Sequence, residues 1–95
     1  MNTIDKIYFT LTDKLSAQYL NVGDESTPHV AHSEAKKSKG GHYNVTIVSE
    51  QFNGKNLLKR HRLVYDILKE EFKEKIHALS VRAYTPDEWN KIQST

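Results

Sequence analysis

The chain has 95 residues, of which 37% are hydrophobic and 27% are charged, a composition typical of one globular domain and not of a disordered chain. The formal charge of +2, with the histidines neutral, is too small to indicate nucleic-acid binding by itself. The chain has no cysteine, which excludes a disulfide and any thiolate metal site made by this chain alone, whereas its five histidines leave imidazole available as a ligand.

The first half of the chain predicts a helix, a strand and a long loop. Apolar residues at steps of three or four predict a first helix, capped by Asn2 or Thr3, with a stripe of Ile4, Ile7, Tyr8, Leu11 and Leu15. The period then changes to two over residues 19–22, which predicts a short strand that ends at Gly23-Asp24. Residues 25–41 have no period and are rich in Ser, Lys, Gly and His, as is typical of a surface loop.

The second half predicts two strands and two helices. Alternating polarity predicts a strand over His42–Ser49, and a turn at Phe52–Lys55 leads into the longest helix, expected over Asn56–Glu71 with a stripe of Leu57, His61, Val64, Tyr65, Leu68 and Phe72. A third strand is expected over Ile76–Arg82, where parity places His77 on the same face as Leu79 and Val81. A cap, a proline and a capping-box glutamate in Thr85-Pro86-Asp87-Glu88 begin a last helix that runs to about Ile92.

The predicted order is therefore α-β-β-α-β-α. The first two strands form an antiparallel hairpin, and the long helix allows a right-handed crossover that makes the second and third strands parallel. We expect one α/β (α+β) domain over residues 1–95, a three-stranded mixed sheet with helices packed on one face. No apolar run approaches the roughly 20 residues of a membrane span, and no signal core is visible, so we expect a cytoplasmic protein without membrane contact.

Several histidines are candidate metal ligands. His29 and His32 form an HxxH pair in the long loop, although a loop histidine is more often solvated than ligating. His77 lies at the mouth of an otherwise apolar strand, and its alternative role is a partly buried imidazole bonded to neighbouring backbone. His61 is expected to pack on the apolar stripe, and His42 begins a strand with no partner that the sequence identifies.

A basic cluster at the start of the long helix is the candidate nucleic-acid site. Lys55, Lys59, Arg60 and Arg62 follow a glycine turn, and helix starts with nearby cations attract phosphate. A helix start of this kind in a small α/β domain is similar to the K-homology nucleic-acid modules, while the alternative is a solvated helix face. No GxSxG or P-loop spacing and no cysteine nucleophile is present, so we expect no catalysis.

Four blocks of sequence carry a resemblance to a known family. They are Asp24-Glu25-Ser26 with His29 five residues after the aspartate, His42-Tyr43 opening a strand that ends Ile47-Val48-Ser49, Phe52-x-Gly54 followed by Arg60-His61-Arg62-x-Val64-Tyr65, and Ile76-His77-Ala78-Leu79 followed by Thr85-Pro86-x-Glu88-Trp89. In this order, over essentially the whole chain, they resemble the BolA family. The resemblance implies the α-β-β-α-β-α fold predicted above, which is similar to class II K-homology domains.

The resemblance also implies a partner and a cofactor. BolA-like proteins, monomeric and without cofactor when alone, form heterodimers with monothiol glutaredoxins and share a [2Fe–2S] cluster whose other ligands are a glutaredoxin cysteine and a glutathione thiol. The BolA-type histidine ligand corresponds here to His77, and the loop ligand to His29 by its offset from Asp24, with His32 close behind. Imidazole ligation raises the cluster's reduction potential and makes the cluster acid-sensitive.

Two departures from the family pattern bear on function. Many relatives have a proline–glycine–serine–glutamate-like run before the second strand, whereas this chain has residues 34–41, EAKKSKGG, which leaves the choice between His29 and His32 open. The turn before the long helix has only Gly54, where nucleic-acid-binding K-homology loops use two glycines. Some bacterial family members act as transcriptional regulators, so DNA is the alternative partner, bound by the basic helix start.

Overall fold

The computed structural model describes residues 2–25, 41–73 and 75–94. In this part of the chain the elements are α1 (Thr3–Leu15), β1 (Tyr19–Asp24), β2 (Gly41–Val48), α2 (Leu57–Ile67), β3 (Ile76–Tyr84) and α3 (Pro86–Gln93), with single 3₁₀ turns at Glu50–Phe52 and Glu71–Lys73. This order confirms the prediction from periodicity. Over the same residues, no helix has the length and apolar character needed to cross a bilayer.

The sheet is mixed, as predicted. The strand order is β1-β2-β3, with β1 antiparallel to β2 and β2 parallel to β3. A hairpin explains the first pairing, and the crossover through α2 explains the second, because parallel neighbours need a long connection. As a result, the first residues of β2 and of β3 meet at one edge of the sheet.

Each helix begins at a side-chain cap. The Asn2 and Asn56 side chains accept hydrogen bonds from Asp5 N at 2.8 Å and Lys59 N at 2.9 Å. Before α3, Thr85 and Glu88 form the predicted capping box. The predicted end of α2 at Glu71 is wrong: the helix ends at Ile67, and the chain tightens into turns that still bring Phe72 against the core.

One face of the sheet carries the hydrophobic core. Helices α1 and α2 cover this face, and the residues that are completely inaccessible to solvent include Ile7, Leu11, Ile47, Phe52, Val64 and Leu68. Burying each such side chain contributes about 1.5–3 kcal/mol. The buried side of α2 differs from the predicted stripe, because Leu57 is 65% exposed and Tyr65 is 41% exposed, while Arg60 is buried.

Helix α3 packs differently from the other two helices. It contributes no buried residue, and its Trp89 ring stacks on Tyr19 with a centroid distance of 4.9 Å. The Trp89 ring also contacts the Tyr84 ring, with a centroid distance of 5.5 Å. Val48 lies between Tyr19 and Tyr84 in the sheet and is 1% exposed, although it is not part of the core cluster. Trp89 therefore covers one end of the sheet face opposite the core, which refines the expectation that all helices pack on one face.

Candidate functional site

A β-bulge in β3 determines where His77 lies. Gly41 pairs with Ile76 and His42 pairs with Ala78, so His77 is an extra residue on β3. Ile76 stays buried on the core face, whereas His77 is exposed. The expectation that His77 shares the face of the strand's buried residues is therefore wrong, because the bulge breaks the alternation of side chains and re-aims this one.

The bulge places His77 against a second histidine. The ring of His42, also exposed, stacks on the ring of His77 with a centroid distance of 5.1 Å and an interplanar angle of 25°. Parallel pairing of β2 and β3 brings these residues together, because the two strands begin at the same edge. The sequence alone indicated no partner for His42. The parallel register of β2 and β3 identifies His77 as that partner.

The pair offers an accessible imidazole but not a complete metal site. Among the described residues, no group of three His, Cys, Asp or Glu side chains is placed to hold a metal ion. A tetrahedral site needs four ligands, so most of them would have to come from elsewhere. His29 and His32 lie outside the described residues, so the choice of loop ligand stays a prediction.

A polar cleft of about 270 Å³ lies beside the histidine pair on the open face of the sheet. It follows the strands away from His42, and its described lining consists of Glu25, Asn44, Val45, Thr46, Ser80 and Arg82. Asn44 and Thr46 follow His42 at every second position of β2, and their partners Ser80 and Arg82 do the same on β3. The open face of the sheet therefore continues from the histidine pair into a polar cleft.

Of the four predicted nucleic-acid contacts, Arg60 has a structural role. It is 7% exposed, and its Nε and Nη1 atoms donate to the carbonyl oxygens of Lys55 at 2.8 Å and Ala83 at 3.0 Å. Nη1 and Nη2 also donate to the Glu88 carboxylate, at 2.7 and 3.2 Å. The expectation that Arg60 is available for phosphate is therefore corrected, because its donors join the start of α2 to β3 and α3.

The Arg60–Glu88 contact also affects the carboxylate. The hydrogen bond from the Arg60 guanidinium, followed by the one from the Thr85 backbone N–H, lowers the pKa of Glu88 below its ordinary value. Glu88 therefore serves both as the capping-box residue of α3 and as the counter-ion of Arg60.

The other three basic residues keep their charged ends accessible. Lys55 Nζ donates to Gln51 O at 3.0 Å in an exposed contact, and the Lys59 and Arg62 side chains have no hydrogen bond or ion pair within the described chain. His61, between Arg60 and Arg62, is half-buried, in keeping with a packing role. A basic surface of Lys55, Lys59 and Arg62 therefore remains at the start of α2.

Comparison with known proteins agrees with this fold. The family model described as BolA-like protein matches residues 11–88. The chain is 45% identical over 82 residues to the SufE-like protein 1, chloroplastic/mitochondrial, of Arabidopsis thaliana, covering 82% of this chain but 22% of that protein's length. It is 38% identical over 77 residues to the DNA-binding transcriptional regulator BolA of Escherichia coli, covering 81% of this chain and 70% of the relative.

A solved structure supports the same assignment. The structure of BolA1 from Arabidopsis thaliana superposes with a TM-score of 0.78 at 39% sequence identity, covering 93% of this chain and 96% of that one. The sequence blocks, the mixed sheet and these similarities agree over most of the described chain. The protein belongs to the BolA-like family.

Proposed function

We propose that this protein is a non-enzymatic adaptor that pairs with a monothiol glutaredoxin and shares a [2Fe–2S] cluster with it, in iron–sulfur trafficking, iron sensing or redox stress response. The observation that carries the proposal is the exposure of His77 by the bulge in β3. A core histidine would follow the alternation of the strand and stay inside. An exposed imidazole in a chain without cysteine fits a site completed by thiolates of another molecule.

In this proposal the chain itself contributes ligands and a docking surface. His77 supplies one imidazole, and His29 or His32 supplies the second, as the resemblance to the family implies. When bound, the cluster would supply one-electron chemistry at a potential that imidazole ligation raises. The neutral imidazole must be available for binding, so acid is expected to release the cluster. The open polar face around His77 is the surface on which we place the partner.

The test is a titration with a cluster-loaded monothiol glutaredoxin and glutathione, followed by visible circular dichroism. His77→Ala is expected to change or abolish the spectrum of the heterodimer, and one of His29→Ala and His32→Ala is expected to do the same. His61→Ala is the matched control, because it removes a half-buried imidazole on α2 and should leave the spectrum unchanged. A wild-type spectrum from His77→Ala would exclude His77 as a ligand.

A second candidate function is DNA binding by the basic surface of Lys55, Lys59 and Arg62. Two observations favour it: one relative is named as a DNA-binding transcriptional regulator, and Lys59 and Arg62 are exposed without ion pairs in the described chain. Three phosphate contacts predict that affinity falls roughly 40-fold between 50 and 200 mM salt. Binding of this kind steers the protein to a duplex without reading its sequence.

A duplex titration at these two salt concentrations tests the second candidate. Lys59→Ala combined with Arg62→Ala should leave one contact and reduce the salt effect to about 3- to 4-fold. Lys69→Ala combined with Lys73→Ala removes the same charge beyond the opposite end of α2 and should keep the full effect. If both double variants reduce the salt effect on DNA affinity equally, only net charge matters, and this surface is excluded as the binding site.

A further inference from the structure

We propose that His42 is a positioning residue, whose ring holds the His77 imidazole by stacking in the orientation that ligates the shared cluster. This inference rests on the proposed cluster function. His42 is part of the four sequence blocks only as the start of a strand. Neither the predicted metal ligands nor the predicted nucleic-acid contacts include it.

His77 needs support because the bulge exposes it. A side chain on an inserted residue has no cross-strand pair at its own position, and an exposed side chain moves between rotamers. Freezing such a side chain on binding has an entropic cost. A ring stacked against His77 before the partner arrives reduces this cost, because it restricts the orientations that the imidazole samples.

His42 is the better-anchored member of the pair. It lies in the central strand, paired with Ala78 on one side, and on the other side its carbonyl accepts a hydrogen bond from Glu25 N at 2.7 Å. Backbone contacts on both sides hold its position. The backbone of His42 is therefore held in place, and its ring offers a surface on which the His77 ring rests.

The geometry of the pair fits support better than joint ligation. The lone pair of a neutral imidazole lies in the plane of its ring, and two ligands of one metal ion must direct their lone pairs to one point. The rings of His42 and His77 are inclined by only 25°, with centroids 5.1 Å apart. Their lone pairs therefore lie in nearly parallel planes, so one ring binds while the other supports it.

Two variants separate stacking from any role of the imidazole nitrogens. His42→Phe keeps a flat ring without ligand atoms, and His42→Ala removes the ring. In the free protein, NMR should show the His77 ring protons losing their ring-current shift in His42→Ala and remaining shielded in His42→Phe. The matched control, His61→Ala, should leave these resonances unchanged. This measurement needs no cluster.

The second measurement is the rate at which a chelator removes the cluster from the heterodimer with a monothiol glutaredoxin. His42→Ala should lose the cluster about 2- to 12-fold faster than wild type, the factor associated with immobilising one side chain. His42→Phe should restore the wild-type rate, and both variants should keep the wild-type circular dichroism.

Distinct outcomes overturn distinct claims. If His42→Phe loses the cluster as fast as His42→Ala, the nitrogens of His42 are required and the stacking role is refuted. If His42→Ala behaves as wild type in cluster loss, the positioning role alone is refuted. If wild-type protein forms no cluster-bound heterodimer, the proposed function fails, whatever the NMR measurement shows.

Discussion

The ion pair between Arg60 and Glu88 provides the most direct test of how this fold is held together. Glu88→Gln removes the negative charge but keeps the size of the side chain and an oxygen that can accept the capping-box hydrogen bond. Arg60 is left with its two carbonyl acceptors and a neutral partner. The change therefore isolates the charge on Glu88.

The expected loss lies between the values for buried and exposed pairs. Hydrogen bonds to charged groups contribute about 1.5–3 kcal/mol, whereas exposed ion pairs contribute about 0–1 kcal/mol. The Arg60 side chain is 8% exposed, but the Glu88 side chain is 46% exposed, so water screens the carboxylate. We expect Glu88→Gln to lower the free energy of unfolding by about 1–2 kcal/mol, which corresponds to a decrease in Tm of roughly 5–15 °C.

The loss should depend on pH with a definite sign. Because Arg60 and Thr85 lower the pKa of Glu88 in the folded state, the unfolded chain binds the proton at a higher pH than the folded protein does. The stabilisation is fully present above the ordinary pKa of a glutamate, about 4.3, and is lost as pH falls through the lower pKa of the folded state. The difference between wild type and Glu88→Gln should therefore be largest near neutral pH and shrink in acid.

Urea denaturation between about pH 3 and 7 measures this difference. Glu70→Gln is the control, because the Lys73–Glu70 pair spans 3.3 Å with side chains 69% and 66% exposed. That variant should lose no more than about 0.5 kcal/mol. The stabilising role of the Glu88 charge is refuted if Glu88→Gln is as stable as Glu70→Gln at pH 7, or if the loss of stability in Glu88→Gln does not change with pH.

Two further predictions concern the turn between β2 and α2. Ser49 is fully buried and its Oγ donates to Leu15 O at 2.6 Å. Ser49→Ala should therefore lower the free energy of unfolding, measured by urea denaturation, by about 1–3 kcal/mol. The control Ser80→Ala, at an exposed position, should lower it by less than about 0.5 kcal/mol. Gly54 has a φ of +77°, and a methyl group added to it would point into open space, so Gly54→Ala should lose about 1 kcal/mol through backbone strain alone. Gly54→Asn should lose less in the same assay, and equal losses for Ala and Asn would contradict that explanation.

Local sequence signals predicted most of the fold. The caps at Asn2 and Thr85 marked helix starts correctly, and the change of period marked all three strands. The end of α2 was not predictable in the same way, because residues 68–75 contain no glycine or proline and continue the helical spacing. Leu68 and Phe72 both contact the core, as they would in a longer helix, so the apolar spacing does not mark where the helix ends.

The candidate site was less accessible to sequence reasoning. The proposed ligand role of His77 follows from the family resemblance, but the exposure of His77 depends on a bulge, which is a property of two paired strands and not of one segment. The stack with His42 has the same origin. The prediction that Arg60 contacts nucleic acid is wrong because its counter-ion, Glu88, lies on α3. A cluster of basic residues at the start of α2 does not reveal an ion pair with a distant helix.

The bulge allows β3 to expose a histidine while its neighbouring side chains stay in the core. In a regular strand, an inserted residue would move every later side chain to the opposite face of the sheet. Here Ile76 and Leu79 keep their core positions while the inserted residue between them projects away. A substitution at this position is therefore expected to leave the packing of the core unchanged. The sheet thus has one position at which a reactive side chain can be presented to solvent without a change in the core.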